Sequence, residues 1–123
     1  MDGKLCLDTD FCIEIIKGNA SIETLFDKFG PYEIYITSIT MFELFLRETN
    51  IKIVENFVSS FFVIYFDDFS ALKVSEISKD LKRKGISIDF RDLFIASICI
   101  VNNCNLATFN KKHFEHTKDL ELV

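Results

Sequence analysis

Residues 5–10 read Leu5-Cys6-Leu7-Asp8-Thr9-Asp10, an apolar run that stops on a carboxylate and is followed at once by a helical pattern. A short apolar run without polar alternation fits a strand buried on both faces, as in a parallel sheet. The residue that ends such a strand lies at the carboxyl edge of the sheet, where open α/β folds build their sites. Three further stretches place an oxygen-bearing side chain in a comparable position. Ser38-Ile39-Thr40-Met41-Phe42-Glu43-Leu44 carries Glu43, Asp89-Phe90-Arg91-Asp92-Leu93-Phe94-Ile95-Ala96 carries Asp92, and Leu106-Ala107-Thr108-Phe109-Asn110 carries Asn110. Gathering carboxylates adds no stability, because like charges repel and raise one another's pKa. Where acids do gather, a hard cation such as Mg²⁺ or Mn²⁺ is the usual reason.

Working outward, the pattern predicts strands at 4–8, 33–37, 62–66 and 105–108, with a last strand at 120–123. Helices are expected at 11–17, 21–29, 51–59, 70–84 and 92–102, with Gly30-Pro31 and Gly85 as stop signals. A further helix, capped by Ser38 or Thr40, would carry Phe42, Phe45 and Leu46 on one face. The run 62–66 reads as a buried parallel strand. In 70–84 the inward residues are read as Leu72, Ile77 and Leu81. The 92–102 segment is almost wholly apolar and should be buried. Strands alternating with helices give a three-layer α/β/α sandwich around a parallel sheet. In that arrangement Asp8, Glu43, Asp92 and Asn110 share one edge.

The bulk properties fit one domain spanning residues 1–123. Apolar residues make up 49% and charged residues 27% of the chain, an ordinary globular balance. No run approaches the ~18 apolar residues of a membrane span, and no signal-peptide pattern opens the chain, so a cytoplasmic location is expected. The formal net charge of −5 argues against holding nucleic acid by bulk electrostatics. It leaves room for a metal-dependent nuclease or for a basic protein partner. Cys6, Cys12, Cys99 and Cys104 form no Cys-x-x-Cys motif and read as buried free thiols. His113 and His116 stand too close together for the usual zinc-finger pairing with Cys99 and Cys104, and both read as surface residues.

At the four quoted stretches the chain resembles the PIN-domain ribonucleases, in particular the VapC-type toxins of prokaryotic toxin–antitoxin pairs. Leu7-Asp8-Thr9-Asp10 is similar to the family's apolar strand ending in Asp-Thr-Asn or Asp-Thr-Asp. Glu43 stands at the family's acidic position in the second motif. Arg91-Asp92-Leu93-Phe94-Ile95-Ala96-Ser97 is similar to Asp-x-x-Ile-Ala-Ala. Leu106-Ala107-Thr108-Phe109-Asn110 is similar to Leu-Val-Thr-x-Asp, with Asn110 where many members have Asp. No single motif is specific, but all four occur in order in a chain of the right length.

The resemblance implies an Mg²⁺- or Mn²⁺-dependent endoribonuclease. Asp8, Glu43 and Asp92 would be the metal-binding carboxylates, and Asn110 an oxygen ligand or a holder of bound water. Thr9 and Thr108 would steady those carboxylates through their hydroxyls. Asp10 is read as a cap of the helix starting at Phe11, and Asp89 as a cap of the Asp92 helix or a residue at the site's rim. Arg47, Arg91, Lys111 and Lys112 lie near the motifs and are candidates for RNA phosphate contact. The implied partners are RNA, a small antitoxin protein and a second copy of the chain in a homodimer. The antitoxin groove is expected around 42–62, where Phe57, Phe61 and Phe62 crowd. Two other readings stay open: a degenerate PIN domain acting as a binding module, kept alive by Asn110, and a haloacid-dehalogenase-like phosphatase with Asp8 as nucleophile.

Overall fold

The computed structural model describes residues 3–123. Four strands, β1 (Lys4–Leu7), β2 (Glu33–Thr37), β3 (Phe62–Ile64) and β4 (Cys104–Ala107), form a sheet in the order β3-β2-β1-β4. Every pairing is parallel, with Leu5 opposite Ile34 and Asn105, and Thr37 opposite Ile64. The connecting helices are α1 (Thr9–Ile16), α2 (Ala20–Asp27), α3 (Ser38–Leu46), α4 (Ile51–Ser59), α5 (Asp68–Arg83), α6 (Phe90–Val101) and α7 (Lys111–Phe114).

The pleat of β1 shows why three layers form. Leu5 and Leu7 point to one face and join Phe11, Ile36, Leu44 and Val54 under α1, α3 and α4. Cys6 points to the other face and packs with Ile95, Ala96, Cys99 and Leu106 beneath α6. The expected three-layer sandwich is therefore present, with β1 central and doubly buried. Helix α5 docks on α6 through Ile77, Leu81 and Leu93. It ends as the stop signal at Gly85 predicts: Gly85 has φ +73°, and the Ile86 N–H donates to the Leu81 carbonyl. All four cysteines are free and buried, as their apolar settings imply.

Several local readings need correction. Leu72 does not face the core; it is 66% exposed, and Ser70, Ile77 and Leu81 are the buried positions of α5. The run 62–66 is not an interior strand. β3 ends at Ile64, lies at the sheet edge and leaves Phe62 70% exposed. Phe42 and Leu46 are exposed as well, whereas Thr40 and Leu44 form the buried face of α3. A run of aromatic and aliphatic residues reads alike whether it covers a core or stands at an edge, and only the strand order decides. The α3 cap is neither Ser38 nor Thr40 but Thr37, whose Oγ1 accepts from the Thr40 N–H at 3.1 Å. Phe57 and Phe61 tuck against the core with ring centroids 4.9 Å apart, so of the expected Phe cluster only Phe62 stands out into solvent. The terminal strand reduces to one parallel bridge between Leu106 and Leu122. The short helix α7 is an element the sequence pattern does not signal.

Candidate active site

Three strands end at the same edge. β1 hands over to Asp8, β2 ends on Thr37, and β4 hands over to Thr108. The pairing of β1 with β4 continues one step beyond the strands, with the Asp8 N–H donating to the Ala107 carbonyl at 3.0 Å. This brings the Asp8 and Thr108 side chains together. Thr108 Oγ1 donates to Asp8 Oδ2 at 2.7 Å, and the Thr9 N–H donates to Asp8 Oδ1 at 2.9 Å. Asp8, only 4% exposed, is thus also the N-cap of α1, the role expected of Asp10. Asp10 instead accepts from Asn110 Nδ2 at 2.8 Å, which ties the start of α1 to the segment after β4. The Asn110 N–H donates to Thr108 Oγ1 at 3.0 Å and so fixes that hydroxyl to donate toward Asp8.

Glu43, half-buried in α3, is held by a buried relay that the sequence does not disclose. Thr9 Oγ1 donates to Glu43 Oε1 at 2.7 Å and lies 2.9 Å from Thr40 Oγ1. A hydroxyl has one proton, so Thr40 must donate to Thr9. Thr37 Oγ1 in turn donates to Thr40 Oγ1 at 3.4 Å. The chain Thr37–Thr40–Thr9–Glu43 therefore runs in one direction and delivers its hydrogen bonds to the carboxylate, where each bond polarises the next. Thr37 and Thr40 are fully buried. Their hydroxyls satisfy each other, which explains polar residues in an otherwise apolar layer.

Asp92 sits in the first turn of α6, and Asp89 caps that helix by accepting from the Arg91 N–H at 2.9 Å. Arg91 does not reach out freely to solvent. Its Nη1 lies 3.4 Å from Glu43 Oε2 and its Nε 3.4 Å from Asp89 Oδ1. His113, expected at the surface, is exposed but also places Nδ1 3.5 Å from Asp92 Oδ2. Among the described residues, His116 pairs only with its neighbour Glu115. Arg47 closes α3, and among the described residues its side chain makes no ion pair. Lys111 and Lys112 begin α7 beside Asn110 and line a hollow next to the carboxylates.

The electrostatics follow from this crowding. Burial pushes the Asp8 carboxyl up to about 6, against the Thr108 and Thr9 hydrogen bonds that lower it, and the nearby charges of Asp92 and Asp10 raise it further. Burial also raises Asp92, partly offset by His113. Among the described residues, the four acids Asp8, Asp10, Glu43 and Asp92 find ion-pair partners at this edge only in Arg91 and His113. Nor do three His, Cys, Asp or Glu side chains among the described residues stand as a ready-made metal cage: Glu43 is drawn to Arg91 and Asp92 to His113. The donors are nevertheless carboxylate and amide oxygens without a thiol, a set that fits a hard divalent cation, and such a cation would offset the cost of burying the Asp8 carboxylate.

Similarity to known proteins runs along nearly the whole chain. Residues 5–120 match the model of the PIN domain. Ribonuclease VapC1 of Methanocaldococcus jannaschii is 31% identical over 122 residues, covering 98% of this chain and 86% of its own. The tRNA(fMet)-specific endonuclease VapC of Shigella flexneri is 30% identical over 125 residues, covering 95% of this chain and 94% of its own. The crystal structure of DNA-bound VapBC from Salmonella typhimurium superposes with a TM-score of 0.86 at 27% identity, covering 98% of this chain and 96% of that one. With an acidic edge built where the parallel strands end and similarity running along nearly its whole length, the chain belongs to the PIN-domain family, alongside the VapC ribonucleases.

Proposed function

We infer that this protein is an endoribonuclease of the VapC type, the toxin of a toxin–antitoxin pair, and that it hydrolyses RNA phosphodiester bonds with Mg²⁺ or Mn²⁺. The observation that carries the reading is the acidic edge itself: Asp8 buried with its carboxyl raised, linked through Thr9 to Glu43 and lying within the field of Asp92. Asp8, Glu43 and Asp92 would hold the cation, with Asn110 offering its amide oxygen. When bound, the cation supplies a hydroxide near neutral pH and shields charge on the phosphate. The chain's own residues do the rest. Thr108 and the threonine relay fix Asp8 and Glu43 in place. Arg91 stands beside Glu43 and His113 beside Asp92, and both would offer contacts to a phosphate held at this edge. Lys111, Lys112 and Arg47 offer further phosphate contacts. In-line hydrolysis leaves a 5′-phosphate and a 3′-hydroxyl and needs no 2′-hydroxyl as nucleophile.

The haloacid-dehalogenase-like alternative loses its ground, because the PIN-domain match spans the whole motif set. The partner reading rests on the family's VapBC complexes and on exposed apolar side chains along α3, α4, β3 and α5, among them Phe42, Ile51, Phe62 and Phe69. Such side chains suit a small antitoxin or a second copy of the chain. No helix among the described residues is long and apolar enough to cross a membrane. The deciding experiment incubates the purified chain with single-stranded RNA and Mg²⁺ or Mn²⁺. Cleavage should stop with chelator and with Asp92→Asn. Cleavage that survives both would overturn the assignment.

A further inference from the structure

A hollow of about 700 Å³ opens beside the carboxylates, between α1, α2 and the turn that joins β4 to α7. That volume falls within the range of about 300–1,000 Å³ typical of small-ligand sites. Phe11 and Phe29 form its floor, and Phe109 forms one wall. Phe109 lies over Phe11 with centroids 4.9 Å apart and planes 16° from parallel, yet it is 44% exposed. One face of its ring is therefore fixed against the core and much of the remainder is open. Asn110, Lys111 and Lys112 make the rim, and among the described residues neither lysine has a carboxylate partner.

The hollow borders the acidic edge through the segment after β4. Phe109 stands between Thr108, which donates to Asp8, and Asn110, which donates to Asp10. A rigid aromatic ring, two unpaired cations and a row of acids thus occur within one short segment. An RNA strand has matching parts: a flat base beside a phosphate. We propose that this hollow seats one unpaired base of the RNA substrate, stacked on Phe109, while Lys111 and Lys112 hold the adjoining phosphate and so register the scissile bond over Asp8 and Asp92. The base must be unpaired, because a base within a duplex has both faces covered. Stacking accepts any base, so the site selects single-stranded or looped RNA rather than a particular letter. This rests on the reading of the chain as a ribonuclease.

Binding is measured apart from cleavage, by fluorescence polarisation of a labelled single-stranded RNA oligonucleotide in EDTA at low salt. Removing one base stack is worth about 1–3 kcal/mol, a fall in affinity of about 5- to 150-fold. Phe109→Ala and Phe109→Leu should both show that fall, and Phe109→Tyr should not; melting curves exclude misfolding. Lys111→Ala with Lys112→Ala should flatten the dependence of log affinity on log salt by about 0.7 for each phosphate that is no longer neutralised. An oligonucleotide abasic at the seated position should bind wild type as weakly as the intact RNA binds Phe109→Ala, with no further loss when both changes are combined. Unchanged affinity in Phe109→Ala, or equal losses at every abasic position, would overturn the proposal. So would RNA binding that is unaffected while capture of a co-expressed basic antitoxin is lost, since the occupant would then be a peptide. Base coupling at Phe109 without metal-dependent cleavage would keep the pocket and remove the nuclease reading.

Discussion

Replacing Asp8 by Asn should make the metal-free protein more stable at neutral pH while abolishing its activity. The folded Asp8 carboxyl titrates at about 6, against 3.8 for an unperturbed aspartate. Between those values the native state holds a proton that the unfolded chain has released, so stability falls as pH rises. The penalty is absent below about pH 4 and complete above about pH 6. Two units at about 1.4 kcal/mol each give about 3 kcal/mol. Asn cannot recover all of it. Its oxygen can accept from the Thr9 N–H, but its amide then meets Thr108, whose own proton loses its acceptor, at a cost of about 1 kcal/mol. The net gain is about 1–2 kcal/mol, or about 4–8 °C in Tm for a chain of this size. Melting curves of both proteins in EDTA at pH 4 and pH 7.5 test this, because titrations that are not coupled to Asp8 cancel in the difference. The gap should open only at the higher pH. A difference that is the same at both pH values, or a variant less stable at pH 7.5, would refute the account of Asp8 as a buried charge awaiting a cation.

Asp92→Asn should lower RNA cleavage by at least about 100-fold with little change in melting, since metal-site changes typically cost about 10- to 100-fold even one shell out. Asn110→Asp should keep or raise cleavage at low metal concentration but lower metal-free stability, because the new carboxylate would face Asp10 in place of the present 2.8 Å hydrogen bond; titrating activity against Mn²⁺ separates the two effects. Thr40→Val should cut the relay to Glu43 and reduce cleavage by about 10- to 100-fold at limiting metal, with part of the loss recovered at saturating metal. Co-expression with a small neighbouring antitoxin should give a complex that co-elutes in size-exclusion chromatography. Failure to co-elute, with toxicity unaffected by the neighbour, removes the toxin–antitoxin reading and leaves the nuclease standing.

What can be read from the sequence is set by local order. Leu5-Cys6-Leu7 reads as a doubly buried strand because its apolar run has no alternation, and the segment 92–102 reads as a buried helix because it is almost wholly apolar. The carboxyl edge follows from topology, since parallel strands end together. The exposure of Phe62 and Leu72 cannot be read in the same way. Each sits in an apolar pattern, but β3 is an edge strand and α5 packs chiefly on α6, and neither fact is local. The threonine relay is equally hidden. Thr37 and Thr40 look like caps and fillers, and nothing links them to Thr9, the expected support of the carboxylates, until α1 and α3 are brought side by side. Asp10 departs from expectation for a related reason: Asp8 takes the cap, which leaves Asp10 to meet Asn110 from the far end of the chain.

The same long-range pairing explains how four acids share an edge without undoing the fold. Asp8, Asp10 and Glu43 each accept a hydrogen bond from a group brought across the sheet edge, from Thr108, Asn110 and Thr9, and Asp92 faces His113. In every pair the donor lies on a different element from the acid. The site is thus assembled only when β1, β4, α3 and α6 are all in register, and its charge is carried by interactions absent from the unfolded chain. The cost falls on Asp8, the most buried acid of the four, and Asp8 is therefore the position where binding a cation would return the most stability.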